Sequence, residues 1–224
     1  MAVILRRILD FRYIAIEGPI GVGKTALTKH LSLRLNATMV LDDTDNPFIA
    51  DLYLGRPGSA FQAQLFSLLA RHRQQTALRQ SDLFNQLTIS DYLFDKDKIY
   101  AYLNLDDNEL FIYQRLYDLL VDEATAPDLV IYLQTPSEVL RKRARQLRQG
   151  NPSRPVPDDD YLYELNEAYT HFFYHYTATP LLVVETSQID LEWGDAALDD
   201  LIRQLHDMGR GTRYYVPRTG APSS

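Results

Sequence analysis

Short runs of apolar residues alternate along the chain with longer segments in which apolar residues recur every three or four positions. The short runs predict buried strands over residues 13–17, 38–41, 87–90, 127–133 and 181–185. The periodic segments predict amphipathic helices over residues 26–35, 60–80, 110–123, 137–149, 161–176 and 196–208. Because strands alternate with helices, we expect an α/β fold with a central parallel sheet covered by helices on both faces.

Two stretches interrupt this pattern. Residues 150–160 contain three prolines and show no periodicity, which predicts a loop. The residues from Gly209 onward are polar and include glycine and proline, which predicts a flexible tail over 209–224. Since no internal repeat or long linker divides the rest, we expect a single domain over residues 1–208.

Composition and charge exclude several classes of protein. The net charge of −7 argues against a protein that coats nucleic acid, because that task needs a broad positive face. The chain has no cysteine, so disulfides, thiolate zinc sites and cysteine nucleophiles are excluded. No apolar run approaches the roughly 20 residues that a membrane span requires, and the apolar start of the chain is interrupted by arginines. We therefore expect a cytoplasmic protein that does not associate with a membrane.

The segment from Gly18 to Thr25 matches the phosphate-binding pattern GxxxxGK[ST] and lies between a predicted strand and a predicted helix. Its glycines let consecutive backbone N–H groups point at phosphate oxygens, and the following helix adds its positive end. The lysine can reach the β- and γ-phosphates, and the threonine hydroxyl can complete a Mg²⁺ shell. We expect ATP or another nucleoside triphosphate, with Mg²⁺, at Gly18, Gly21, Val22, Gly23, Lys24 and Thr25. GTPases, motor ATPases and small-molecule kinases all carry this loop, so the reaction remains open.

The loop and its flanks, YIAIEGPIGVGKTAL, resemble the start of the deoxynucleoside kinases, the family of deoxycytidine, deoxyguanosine and deoxyadenosine kinases. The segments FQAQLFSLLARHR, IYQRLYDLL, PDLVIYLQTPSEVL and LLVVETSQIDL follow in the family's order, so the resemblance covers roughly residues 12–190. SDYLFDKD resembles a bacterial branch. The resemblance implies a P-loop kinase that transfers the γ-phosphoryl group to the 5′-hydroxyl of a small-molecule deoxynucleoside, with purines slightly favoured. It also implies a homodimer.

Several substrate-binding residues are implied by the resemblance. Gln64 and Arg71, two helical turns apart, match the positions that bind the base, and a glutamine amide offers a donor and an acceptor to a base edge. Tyr53 matches a tyrosine that touches the sugar 3′-hydroxyl. The family's general base follows the second strand, where Asp42 is the matching position and Asp43 is the rival.

After the third predicted strand the family carries an acid, an arginine and a serine, whereas this chain reads Ser-Asp-Tyr. The acid, Asp91, is expected to approach Mg²⁺ and the substrate. The arginine is absent, and Lys96 or Lys98 could supply its charge. Asp95 and Asp97 equally fit a solvated helix start.

The basic helix RKRARQLRQ resembles the family's lid, which we place over about residues 141–160. Arg143 is the best match for a catalytic arginine, with Arg145 and Arg148 as additional triphosphate-binding candidates. An arginine suits this role because its planar fork binds phosphate oxygens in pairs.

Three other functions compete with a nucleoside kinase. A thymidylate kinase or another nucleoside monophosphate kinase would use Arg71 and Arg73 for the substrate phosphate. A regulatory GTPase would need an N/T-K-x-D segment after a strand, which the chain lacks there. A catalytically silent nucleotide-binding protein is the third possibility, because of the missing arginine.

Overall fold

The protein alternates strands and helices throughout the part of the chain that a computed structural model describes, residues 11–42, 45–80, 87–150, 155–189 and 193–217. The strands are β1 (Tyr13–Glu17), β2 (Thr38–Val40), β3 (Thr88–Ser90), β4 (Leu129–Gln134), β5 (Leu181–Glu185) and β6 (Thr212–Tyr215). The helices are α1 (Lys24–Leu35), α2 (Ile49–Tyr53), α3 (Ser59–Gln80), α4 (Lys96–Asn104), α5 (Asp107–Val121), α6 (Ser137–Gly150), α7 (Asp159–Tyr174) and α8 (Asp195–His206).

The strands form one sheet in the order β2-β3-β1-β4-β5-β6, and every described pairing is parallel. β1 lies inside the sheet, with Ile14 opposite Ile89 on one side and Ile16 opposite Ile131 on the other. Ligands of such sheets bind beyond the carboxyl ends of the strands, where the connections diverge to the two sides. The sheet order therefore predicts a ligand-binding site at the loops that follow β1, β2 and β3.

Helices cover both faces of the sheet, as the alternation of strands and helices predicted. Successive side chains of a strand point to opposite faces. Ile14 and Ile16 accordingly pack in one buried cluster with Leu27 of α1 and Leu201 of α8. Ala15 packs on the other face, in a cluster with side chains of α4 and α7. The expected α/β fold is confirmed.

Three elements were not predicted from the sequence. α2 spans only one helical turn, and α4 begins with charged residues that gave no apolar period. β6 corrects the predicted tail, because Thr212–Tyr215 pair with β5 and extend the sheet. The expectation of a flexible tail is wrong for these residues, whose mostly exposed side chains at the sheet edge carry little hydrophobic signal. The single domain over residues 1–208 and the lid at 141–160 stay predictions, and residues 151–154 lie outside the described ranges.

In the described ranges, no helix combines the length and the apolar character that crossing a membrane requires.

Candidate active site

The loop between β1 and α1 is held close to the sheet. A Cβ atom at Gly18 would lie 2.6 Å from the carbonyl oxygen of Leu133 in β4, a distance that no side chain tolerates. Gly23, directly before α1, has φ of 106°, in the region that glycine adopts without steric cost. These two glycines let the chain turn from the buried strand into the helix, so that the N-terminus of α1 faces the open end of the sheet.

The side chain of Lys24 lies along the inside of this loop. Its Nζ donates to the carbonyl oxygens of Gly18, at 2.5 Å, and Pro19, at 3.2 Å, and lies 3.9 Å from Oε1 of Glu17. Burial lowers the pKa of the Lys24 ammonium, and the charge of Glu17 opposes this shift. The ammonium is thus bound to weak carbonyl partners that a phosphate could replace.

Glu17 is a fully buried carboxylate that sequence reasoning did not single out. It accepts hydrogen bonds from the backbone N–H groups of Gly18 and Leu93, both at 2.8 Å, and from the hydroxyl of Tyr169 at 3.0 Å. These contacts join the phosphate-binding loop to the segment after β3 and to α7. The position of Glu17 at the end of an otherwise apolar strand, directly before the loop, was the feature of the sequence that could have identified it as a buried site residue.

Thr25 and Asp91 meet at the carboxyl ends of β1 and β3. The Thr25 hydroxyl donates to Oδ2 of Asp91 at 2.6 Å, and the backbone N–H of Asp42 donates to Oδ1 at 2.5 Å. Hydroxyl and carboxylate oxygens are the donors that Mg²⁺ prefers, so this pair fits the ion. In the described ranges no three His, Asp or Glu residues cluster as a metal centre, so phosphates and water would have to complete the shell.

Asp42 lies in the same cavity and is held by cations. Oδ1 accepts from Nε of Arg71 and Oδ2 from a terminal nitrogen of Arg71, both at 3.0 Å, and Oδ2 also accepts from Nζ of Lys96. Burial alone would raise the pKa of Asp42, but Lys96 and Arg71 hold it well below its usual range. The rival base, Asp43, lies outside the described residues.

Gln64, Arg71 and Asp97 form a buried polar cluster next to Asp42. Arg71 donates from its remaining terminal nitrogen to Oδ1 of Asp97, and Nε2 of Gln64 donates to the backbone carbonyl of Asp97 at 2.9 Å. Oδ2 of Asp97 is buried and has no hydrogen-bond partner within the described residues. Burial raises the pKa of Asp97 to about 6, although Arg71 opposes the shift.

The interpretation of Asp97 as part of a solvated helix start is wrong, because the residue is only 1% exposed. Asp97 lies one helical turn before Ala101, which is also buried, so both belong to the inner face of α4. The spacing of Asp97 and Ala101 is visible in the sequence, but the lysines on both sides of Asp97 made the segment resemble an exposed helix start. Asp95, by contrast, pairs with Lys98 at 2.8 Å on a more exposed face.

A cavity of about 560 Å³ connects the phosphate-binding loop to this polar cluster, and its size is typical of small-ligand sites. Most of the predicted site residues line it, namely Gly21, Gly23, Lys24, Thr25, Asp42, Tyr53, Gln64, Arg71 and Asp91. Tyr53 packs edge-to-face against Tyr161, with ring centres 5.7 Å apart. The cavity thus has a cationic end at Lys24 and a polar end at Gln64.

The predicted lid arginines are not among the described residues that line this cavity. Arg143 is buried and donates to the backbone carbonyls of Val22 at 3.3 Å and Thr186 at 2.8 Å, so it supports the phosphate-binding loop from behind. Arg145 pairs with Asp159 at 2.6 Å, and Arg148 donates to the carbonyl of Pro157. Their contact with a triphosphate stays a prediction.

The deoxynucleoside kinase family model matches residues 14–208 of this chain. The deoxyguanosine kinase of Bacillus subtilis (strain 168) is 33% identical over 161 residues, which cover 70% of this chain and 76% of that protein. The deoxyadenosine kinase of Dictyostelium discoideum is 31% identical over 175 residues, which cover 75% of this chain and 69% of that protein.

A solved structure of deoxyadenosine kinase from M. mycoides, with the products dCMP and a flexible dCDP bound, has a TM-score of 0.72 and 22% sequence identity. The match covers 88% of this chain and 100% of that chain, and it supports the fold. The family match over most of the chain and the two relatives lead to one conclusion. The chain belongs to the deoxynucleoside kinase family and is a phosphotransferase that acts on a hydroxyl group.

Proposed function

We propose that this enzyme transfers the γ-phosphoryl group of ATP, with Mg²⁺, to the 5′-hydroxyl of a purine deoxynucleoside, and that deoxyguanosine is the preferred acceptor. The observation that carries the proposal is the single cavity that joins Lys24 and Thr25 to the cluster of Gln64, Arg71 and Asp97. A base bound at the cluster places a sugar between the two ends, near Asp42. The acceptor oxygen and the triphosphate then meet in one site, which is the main requirement of phosphoryl transfer.

The charges around the acceptor support a nucleoside and not a nucleoside monophosphate. A monophosphate kinase needs free cations for the substrate phosphate, but the guanidinium of Arg71 is already bonded to Asp42 and Asp97. Arg73, the second candidate, is exposed to solvent on α3. Asp42 and Asp97 would moreover repel a phosphate placed next to them. An uncharged nucleoside meets neither difficulty.

The hydrogen-bonding groups of the cluster support guanine. Both N–H groups of Gln64 point at Asp97, at 2.9 Å to its carbonyl and 3.4 Å to its Oδ1, so Oε1 is left as an acceptor. Oδ2 of Asp97 is a second acceptor. Arg71 directs three of its five N–H groups at carboxylates, which leaves two for a ligand as far as the described residues go. Guanine matches two acceptors and a cationic donor, since N1–H and N2–H₂ donate side by side and O6 accepts. Adenine and cytosine each offer one donor group on that edge.

Replacing Asp97 tests this assignment. Asp97→Asn turns one carboxylate oxygen into an N–H donor, which opposes the N–H groups of guanine. We expect kcat/KM for deoxyguanosine to fall about 10- to 100-fold, and that for deoxyadenosine to fall less, because a mismatched buried donor costs a few kcal/mol. Initial rates with deoxyguanosine, deoxyadenosine, deoxycytidine and thymidine measure the preference.

Asp95→Asn is the matched control, since Asp95 lies two positions away, pairs with Lys98 and is not among the described residues that line the cavity. It should leave the base preference unchanged. A wild-type preference for thymidine, or an Asp97→Asn variant that keeps the wild-type ratio between deoxyguanosine and deoxyadenosine, would contradict the placement of the base.

In the proposed mechanism, binding energy from the base and sugar orients the 5′-oxygen towards the γ-phosphorus. Asp42 accepts the hydroxyl proton, and Lys24 neutralises negative charge on the phosphates. Thr25 and Asp91 would hold Mg²⁺, and the chemistry that the ion supplies when bound is neutralisation of the β- and γ-phosphates. Arg145 and Arg148 close over the triphosphate when the lid moves, while Arg143 positions the loop. Tyr53 contacts the sugar.

We also propose that the enzyme is a homodimer. The support is a group of large apolar side chains on α4 and α5 that are about half exposed or more, namely Tyr102, Phe111, Ile112 and Leu119. Exposed apolar side chains of this size on two helices are typical of a protein interface.

A further inference from the structure

Lys96, the first residue of α4, is a buried lysine beside the proposed base. Its side chain is 6% exposed, and its ammonium donates to Oδ2 of Asp42. It also lies 5.7 Å from the centre of the Tyr92 ring. Burying an ammonium is costly unless the charge is paired, and here the partner is the carboxylate proposed as the base.

Tyr92 occupies the position after Asp91, where the deoxynucleoside kinases carry an arginine, so this position supplies no positive charge. Tyr92 is fully buried, and its hydroxyl accepts a hydrogen bond from Nε2 of Gln75 at 2.9 Å. The residue is not among the described residues that line the cavity, whereas Lys96 is. Lys98, the other candidate, is more exposed and pairs with Asp95 at 2.8 Å. Of these three positions, Lys96 is the one that delivers charge to the cavity.

Lys96 and Lys24 both line the cavity, so two positively charged ammonium groups share it. Two ammonium groups that repel each other across a cavity are stabilised by an anion placed between them. The anion that the proposed reaction brings there is the γ-phosphoryl group.

Arg71 and Lys96 stabilise the charge of the Asp42 carboxylate and so weaken it as a proton acceptor. Arg71 is fixed, because it holds Asp42 through two nitrogens and Asp97 through a third. Lys96 contacts Asp42 with one ammonium at the end of a flexible stem, so it is the donor that can leave at least cost.

We propose that Lys96 is a catalytic residue, which leaves Asp42 when the substrates bind and donates to the transferring phosphoryl group. The inference rests on the proposed nucleoside kinase function. In the step, the 5′-oxygen forms a bond to the γ-phosphorus as the bond from this phosphorus to the bridging oxygen of ATP breaks. The electron pair stays on ADP, and the 5′-hydroxyl proton passes to the Asp42 oxygen that Lys96 has left. Lys96 thus couples substrate binding to release of the base.

The test compares Lys96→Met, which removes the charge at similar length, with Lys96→Arg, which retains a charge. Lys98→Met is the matched control. Single-turnover rates at saturating ATP and deoxyguanosine report the chemical step, and calorimetry gives the Kd of deoxyguanosine without ATP. We expect Lys96→Met to slow the step by about 100-fold or more, a typical effect of losing one transition-state donor. Its Kd should stay within about threefold, Lys96→Arg should be at least tenfold faster than Lys96→Met, and Lys98→Met should match the wild type.

A Lys96→Met rate within about threefold of the wild type would overturn the proposal. So would a large rise in Kd with an unchanged saturated rate, because Lys96 would then only organise the nucleoside site. Melting temperatures check the fold, and Lys96→Gln serves as a second neutral variant if Lys96→Met does not fold. Wild-type turnover of deoxyguanosine tests the proposed function separately. The ratio of variant to wild-type rates is measured on whichever acceptor the wild type uses. A failure of the proposed acceptor can therefore be distinguished from a failure of the proposed role of Lys96.

Discussion

Lys24→Met should lower kcat by about 1,000-fold or more with every acceptor, because the phosphate-binding lysine contacts the group on which charge develops. In the structure its ammonium donates to the carbonyl oxygens of Gly18 and Pro19, partners that a triphosphate can replace. Methionine keeps the length of the side chain and removes the charge. Steady-state rates with ATP and each deoxynucleoside give the effect on turnover, and ATP titration gives the effect on affinity.

Lys29→Met provides the control, since Lys29 lies on the exposed side of the same helix, α1. It should retain the wild-type rate. A Lys24→Met enzyme that lost base selectivity but kept most of its turnover would contradict the assignment of the loop, because a general loss across acceptors is what a phosphate-binding lysine requires.

The second large effect is expected at Asp42. Asp42→Asn replaces the carboxylate with an amide that cannot take a proton, and loss of a general base typically costs about 100- to 10,000-fold in rate. The substitution also weakens the contacts to Arg71 and Lys96, which donate to both carboxylate oxygens. We therefore expect a fall in kcat at saturating substrates, while the Kd of ATP changes little, because Lys24 and the loop are intact.

Asp51→Asn is a suitable control, because Asp51 pairs with Arg56 at the surface at 2.8 Å and is not among the described residues that line the cavity. If Asp42→Asn turned over within about threefold of the wild type while Asp43→Asn did not, the proton acceptor would be the neighbouring residue. Both variants should be measured with the same acceptor.

The fold could largely be predicted because its main elements have strong periodic signals. β1 is apolar at every position before Glu17, and its predicted bounds, residues 13–17, agree with the structure. Strand order could not be predicted, since parallel strands that are buried on both faces read alike. β6 was missed for the opposite reason. Only Tyr215 of its four residues is buried, so the strand has no hydrophobic periodicity. It is identified by its pairing with β5, which the sequence does not show.

The phosphate-binding half of the site could be predicted better than the acceptor half. Gly18 to Thr25 form a contiguous segment whose chemistry is fixed by its own backbone. The acceptor half is assembled from α3, α4 and the end of β2. The role of each charged residue there depends on its ion-pair partner from another element, which the sequence does not show. In the sequence Asp97 fitted a solvated helix start, and Lys96 could not be distinguished from Lys98 as a source of positive charge. Asp97 and Lys96 are both buried, where Arg71 and Asp42 compensate their charges.

We propose above all that the acceptor is the 5′-hydroxyl of a deoxynucleoside. The most direct measurement is an ATP-coupled phosphorylation assay with the four deoxynucleosides, their 5′-monophosphates and the matching ribonucleosides, in which ADP and the phosphorylated product are both quantified. We expect turnover on deoxyguanosine above the other deoxynucleosides, with one ADP formed per monophosphate produced. Turnover on a nucleoside monophosphate alone, or bound ATP without turnover on any acceptor, would contradict the claim.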